Sequence, residues 1–187
     1  PIFDGAAREY LNLRAVLSAP KKQEYQLQAA IVLLRGNFIE QAQRVLASIE
    51  ENELDSKQFF RKRLLSARIA LAQHDPALSL NILNIKRHEN RPDDLRADFH
   101  KLRAVAYLRL GNLIGAVRER ISLDDLLTDV NESVSNQQTI WQTFMSLSYP
   151  ALQQLRAENQ GQDITACFAL AHLSRHTNTR TINIEHM

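Results

Sequence analysis

The chain has 187 residues, 44% hydrophobic and 24% charged, which is enough apolar material for one domain with a real core. Five glycines, five prolines and an aromatic share of 6% exclude a low-complexity linker and disfavour an all-β sandwich, and a formal net charge of +2 is too small to point to nucleic acid. Cys167 is the only cysteine, so a disulfide framework and a cysteine zinc site are both excluded, and no apolar run reaches the roughly 18 residues a bilayer span needs.

The chain starts at Pro1 rather than Met, which reads as a processed or trimmed piece whose signal peptide or lipid anchor would have been removed. Asp4 is placed to cap a first helix over Gly5 to Ser18 that Pro20 closes. A second helix runs from about Lys22 to Arg35, with Leu27, Ala30, Ile31 and Leu34 on one face. Gly36 sits at its C′ position, where a left-handed residue costs least. Ile39, Ala42, Leu46 and Ile49 continue a partner helix, and Asp55 caps the next, whose seam is Phe60, Leu64, Ala67 and Leu71. Asp75-Pro76 is a helix start, with Asp as N-cap and Pro at the first helical position, and Leu78, Ile82 and Leu83 follow. Lys86 to Asp94 reads as a loop. A long helix from about Asp94 to Leu110 carries Leu95, Phe99, Leu102 and Ala106 on one face, and Gly111 ends it. Beyond Leu123 the pattern loosens, and Asp129 to Gln137 reads as an irregular connection. Helix returns at Thr139 to Leu147, Pro150 opens another, and Ile164 to His176 makes one more. The total is about nine to eleven helices and no strand.

Three of these turns repeat. LLRGNFIEQAQRVLASI, ALAQHDPALSLNILNIK and YLRLGNLIGAVRERISL each pass from a helical run through a tight turn into a second run. The turns at Gly36, His74 and Gly111 are 38 and 37 residues apart, close to the tetratricopeptide (TPR) period of about 34. Ala29, Ala67 and Ala104 each lie seven residues before a turn, Tyr107 lies four before Gly111, and Ala116 five after it. The second repeat has Ser79 where Ala116 stands, and the first has one extra residue in its turn. The pattern predicts an all-α, TPR-like solenoid of helical hairpins over residues 1–187, in a right-handed superhelical array.

The chemistry-bearing residues do not assemble into a site. His172 and His176 are four apart, with Cys167 nearby, but Leu173 stands where a zincin motif needs Glu, and helix-terminal histidines commonly complement the dipole. Ser18-Ala19-Pro20-Lys21 fits S-x-x-K by letter only, since proline splits it and no S-D-N or K-T-G partner exists. Asp124, Asp125, Asp129 and Glu132 form an acidic cluster without a calcium-loop glycine, better read as solvating the connection, with Asp124 or Asp125 capping a short helix. Arg61, Lys62 and Arg63, with Arg109, Arg118 and Arg120, read as an exposed mixed-charge face rather than a nucleic-acid stripe. No Gly-rich phosphate loop occurs, and the sequon Asn131-Glu132-Ser133 is a three-residue match of the kind chance supplies. The expectation is no catalytic, cofactor or metal residue.

ARIALAQHDPALSLNILNIK, followed some fifty residues later by TIWQTFMSLS with its Trp141-Gln142 pair, resembles the N-terminal domain of the LpoA/LppC-type outer-membrane lipoproteins. The resemblance runs from about Tyr25 to Trp141, and more loosely to His186. It implies a periplasmic, non-enzymatic scaffold, tethered to the outer membrane by a lipid anchor outside this sequence, in a protein that activates a class A penicillin-binding protein in peptidoglycan synthesis. It also implies that a second domain, resembling periplasmic substrate-binding proteins, follows this one and contacts the synthase. Two other readings stand beside it: a cytosolic TPR adaptor holding an extended peptide in its groove, and a helical enzyme accessory domain using the His172/His176 face.

Overall fold

A computed structural model of the chain describes residues 2–13, 19–84, 92–148, 150–151 and 153–154. The helix expected over Ile164 to His176, with Cys167, His172 and His176, lies outside the described residues, as do Ser18 and most of the expected loop from Lys86. Among the described residues there are eight α-helices and no strand. They are α1 (Ile2–Leu13), α2 (Ala19–Arg35), α3 (Ile39–Ala47), α4 (Ser56–Ala72), α5 (Pro76–Leu83), α6 (Asp93–Arg109), α7 (Leu113–Asp124) and α8 (Val130–Met145). The chain divides into two compact units, Pro1–Leu110 and Gly111–Met187.

In the first unit each helix packs on the next one or two. α1 meets α2, α2 meets α3, α4 meets α5, α5 meets α6, and α4 also touches α2 and α6. This is the nearest-neighbour contact pattern of a helical-hairpin repeat. Leu27, Leu33, Leu46 and Ile69 are buried in one part of its core, and Phe60, Leu64, Leu83 and Phe99 in another. The Phe60 and Phe99 rings meet edge-on, with centroids 5.9 Å apart. In the second unit, Val117 and Ile121 of α7 pack with Ile140 and Phe144 of α8.

Local chemistry fixes the helix ends. Asp55 and Gln58 form a full capping box, with the Gln58 backbone N–H donating to Asp55 at 2.7 Å and the Asp55 N–H to the Gln58 side chain at 3.3 Å. Asp75 accepts from the Leu78 N–H and Asn112 from the Gly115 N–H, each at 2.8 Å. Asp4 does not cap α1. The helix begins two residues earlier, so Asp4 lies in its first turn, where its charge suits the dipole and pairs with Arg8 at 2.8 Å. Pro20 lies within the first turn of α2 rather than closing α1.

The repeat phasing needs one correction. Gly36 does not adopt positive φ; Asn37 does, at 62°, as do His74 at 62° and Gly111 at 72°. The left-handed positions are therefore 37, 74 and 111, a strict 37-residue period, and the first turn has no extra residue. The first two turns close alike. Phe38 N–H donates to Leu33 O at 2.9 Å and Asp75 N–H to Ala70 O at 2.8 Å, the six-to-one bond of a Schellman motif. Gly36 is required for a different reason: a Cβ there would lie 2.7 Å from the Phe3 Cβ and 2.8 Å from the Phe38 ring.

With this phasing the seven-before residues are Ala30, Ala67 and Ala104, and the five-after residues are Ala42, Ser79 and Ala116; all six are buried, as is Ala29. A second correction concerns Asp129 to Gln137, which is helical. Asp129 caps α8 by accepting from the Glu132 N–H at 3.0 Å, and the helix runs on without a break. Its inward face there is polar, so no apolar period marked it. Asn136 is buried and donates to Arg120 O at 2.9 Å and to Asp124 at 3.1 Å.

Candidate functional site

The first unit holds an open cavity of about 450 Å³ between α2, α4 and α6. Its floor is apolar, made by Ile31 and Leu34 of α2, Leu64 and Leu65 of α4 and Leu95 of α6. Three arginines and one carboxylate line it as well: Arg35, Arg61, Arg68 and Asp98. A volume of this size lies within the range of about 300–1,000 Å³ usual for ligand pockets.

A set of ion pairs runs across the same three helices. Arg61 Nη1 donates to both carboxylate oxygens of Glu24, at 2.7 and 2.6 Å. Lys57 meets Asp94 at 2.6 Å and Arg68 meets Asp98 at 3.5 Å. Glu24 to Arg61 and Lys57 to Asp94 are each 37 residues apart, one repeat, so equivalent positions on successive helices face each other. Partial burial works to raise the Glu24 pKa, but hydrogen bonds from Arg61 and Gln28 and the charges of Arg61 and Lys57 outweigh it, and the carboxyl stays below its ordinary value. Asp94 is held low mainly by its hydrogen bond from Lys57. Arg35 has no hydrogen bond or ion pair among the described residues.

The basic triplet of α4 is used within the chain. Besides the Arg61 pair, Lys62 donates to Ile49 O at 2.7 Å, and Arg63 pairs with Glu51 at 3.4 Å while lying over the Phe59 ring. Arg109 donates to Leu71 O and Arg120 to Asn136 at 3.0 Å, where burial pulls the Arg120 pKa down. The acidic cluster is dispersed. Asp124 does not cap a short helix; it ends α7 and accepts from Ser133, Asn136 and Gln137 of α8. Asp129 and Glu132 start α8. Among the described residues no group of three or more His, Cys, Asp or Glu could hold a metal ion, and no helix is long and apolar enough to cross a membrane. Glu24, Arg35 and Asp98 were not singled out in the sequence, although the 37-residue period applied to charges puts Glu24, Arg61 and Asp98 in one register.

Residues 5–184 match the family described as "LppC putative lipoprotein". The penicillin-binding protein activator LpoA of Haemophilus influenzae is 29% identical over 120 residues, which is 64% of this chain and 20% of that protein. Its namesake in Edwardsiella ictaluri is 28% identical over 163 residues, 85% of this chain and 23% of that one. The chain thus spans about a fifth of the length of these curated relatives. Among solved structures, the LpoA N-terminal domain from Haemophilus influenzae superposes with a TM-score of 0.60 at 25% identity, covering 83% of this chain and 70% of that one. The E. coli LpoA amino-terminal domain superposes with a TM-score of 0.62 at 22% identity, covering 92% and 84%, and speaks for the fold alone. With nearly its whole length matched, and with the all-helical TPR-like fold of such N-terminal domains, the chain belongs to the LppC lipoprotein family.

Proposed function

We propose that this chain is the N-terminal scaffold of a penicillin-binding protein activator. Its full-length protein would be held at the outer membrane by an N-terminal lipid and would work in the periplasm, in peptidoglycan synthesis. The observation that carries the reading is the alignment itself. The chain covers most of the isolated amino-terminal domains, 70% and 84% of them, yet only about a fifth of the complete relatives. A C-terminal domain resembling periplasmic substrate-binding proteins would follow, and contact with the synthase would fall to that domain.

The scaffold has no catalytic task in this reading. Most of the titratable side chains described above serve caps, ion pairs and interhelical bonds, as Asp55, Glu24 with Arg61, and Asp124 do. A repeat array adds reach with each hairpin, which suits a part that holds another domain at a set distance. The test is a pull-down of a class A penicillin-binding protein with the 187-residue chain and, in parallel, with the full-length protein. The full-length protein should capture the synthase and the chain alone should do so weakly or not at all. Equal capture by the chain alone would defeat the scaffold reading.

A further inference from the structure

The cavity between α2, α4 and α6 has features that a mere spacer does not need. Its floor is apolar and open, and its rim carries three guanidinium groups against one carboxylate. Those guanidinium groups are unequally occupied. Arg61 gives its Nη1 to both carboxylate oxygens of Glu24, and Arg68 holds Asp98 only at 3.5 Å. Arg35 is exposed at the C-terminal end of α2 without a partner among the described residues. A guanidinium presents a fixed fork of donors that matches a carboxylate. The site therefore offers an apolar contact and an unfilled anion contact side by side.

We propose that this cavity binds an extended acidic peptide segment, with leucine-like side chains on the floor of Ile31, Leu34 and Leu64 and a Glu or Asp side chain on Arg35. Charge complementarity selects the occupant: Arg61 and Arg68 face Glu24 and Asp98, so Arg35 leaves one unpaired positive charge beside the apolar floor, which an acidic side chain meets and a basic one does not. Size selects its conformation. Helices packed about 8–10 Å apart set three ridges over roughly 16–20 Å, which about six extended residues span at 3.3 Å each. This role goes beyond the scaffold reading and does not depend on it.

The test uses the 187-residue chain and an N-acetylated, C-amidated hexapeptide of alternating Glu and Leu. Calorimetric titration gives the affinity, and methyl NMR reports where the peptide sits. Saturable binding is expected, with shifts at Ile31, Leu34 and Leu64. The same peptide with Gln for Glu should bind about tenfold more weakly, as should the Glu peptide to Arg35→Glu. Arg35 and Arg44 are both exposed in the last turn of a helix, so the two reversals should lower the melting temperature alike, and Arg44→Glu on α3 serves as the control that should bind like the native chain. Absence of saturable binding to the native chain overturns the proposal. So does equal affinity for the two peptides, or equal loss in the Arg35 and Arg44 reversals. Tighter binding of the Gln peptide as its free acid would assign the site to chain termini instead and would equally overturn it. No synthase enters the assay, so its outcome is separate from that of the scaffold reading.

Discussion

Gly36 and Gly111 both lie in turns of the 37-residue repeat, yet substitution should fail at each for a different physical reason. Gly111 has φ of +72°, and a Cβ there would meet nothing within 4 Å. Its penalty is conformational: an L-residue in the left-handed region costs roughly 1–2 kcal/mol, offset by about 0.4–1 kcal/mol from the stiffer unfolded chain. Gly111→Ala should therefore destabilise by about 1 kcal/mol. Gly111→Asn should cost less, because Asn tolerates this region, and Gly111→Val more than about 1 kcal/mol. At Gly36 the backbone is not left-handed, and the obstacle is space. A Cβ would lie 2.7 Å from the Phe3 Cβ and 2.8 Å from the Phe38 ring, so the start of α1 must shift. Overpacking of this kind costs about 1–3 kcal/mol. Asn is larger than Ala, so Gly36→Asn should be worse than Gly36→Ala, the reverse of the order at Gly111. Urea denaturation of the two Ala and two Asn variants measures this directly. The same Ala-to-Asn order at both positions would refute the assignment of one glycine to conformation and the other to packing.

Ser79→Ala should leave stability unchanged or raise it by up to about 1 kcal/mol. The Ser79 hydroxyl is buried without a hydrogen-bond partner among the described residues, and Ala42 and Ala116 stand at the equivalent positions. Ala104→Leu should cost about 1–3 kcal/mol and lower the melting temperature, since Ala104 is 1% exposed and three added carbons must be accommodated in the core. Glu24→Gln should cost less than about 1 kcal/mol near neutral pH, because the pair with Arg61 is partly exposed. The folded-state pKa of Glu24 is lowered, so its contribution is present above the ordinary carboxylate range and disappears as pH falls through the folded value. Melting curves of the native chain and Glu24→Gln should accordingly differ near pH 7 and converge as the pH falls through the lowered folded value; a gap that persists once the carboxyl is protonated would contradict the ion pair as its source.

The helices legible in the sequence were those whose ends carry their own chemistry. Asp55 with Gln58 and Asp75 with Pro76 mark starts in the letters alone, and they cap as those letters imply. The turn at Gly36-Asn37 misled for an equally definite reason. Glycine is the usual left-handed residue, so the phase was set on Gly36, whereas Asn37 takes the conformation and Gly36 makes room for Phe3 and Phe38. His74, where the sequence places the second turn, takes positive φ without a glycine, in a region where histidine is enriched among non-glycine residues. The first half of α8 was missed because its packing is polar: Asn136 and Gln137 bond to Asp124, and an amphipathic pattern counts only apolar residues.

The cavity was hidden for a related reason, and the 37-residue register explains it. Side chains one period apart on α2, α4 and α6 face one another, which is why Glu24 finds Arg61 and Lys57 finds Asp94. Ion pairs this exposed add little stability. Their consequence is to use up most of the charge on this face. Arg35 escapes because the residue one period on is Ala72, which has nothing to offer a guanidinium. Arg109, one further period on, donates instead to the Leu71 carbonyl at the end of α4, and Arg35 has no such bond among the described residues. Its availability beside Ile31 and Leu34 thus follows from where it falls in the repeat, and it could be seen only once the period was fixed at 37 rather than 38.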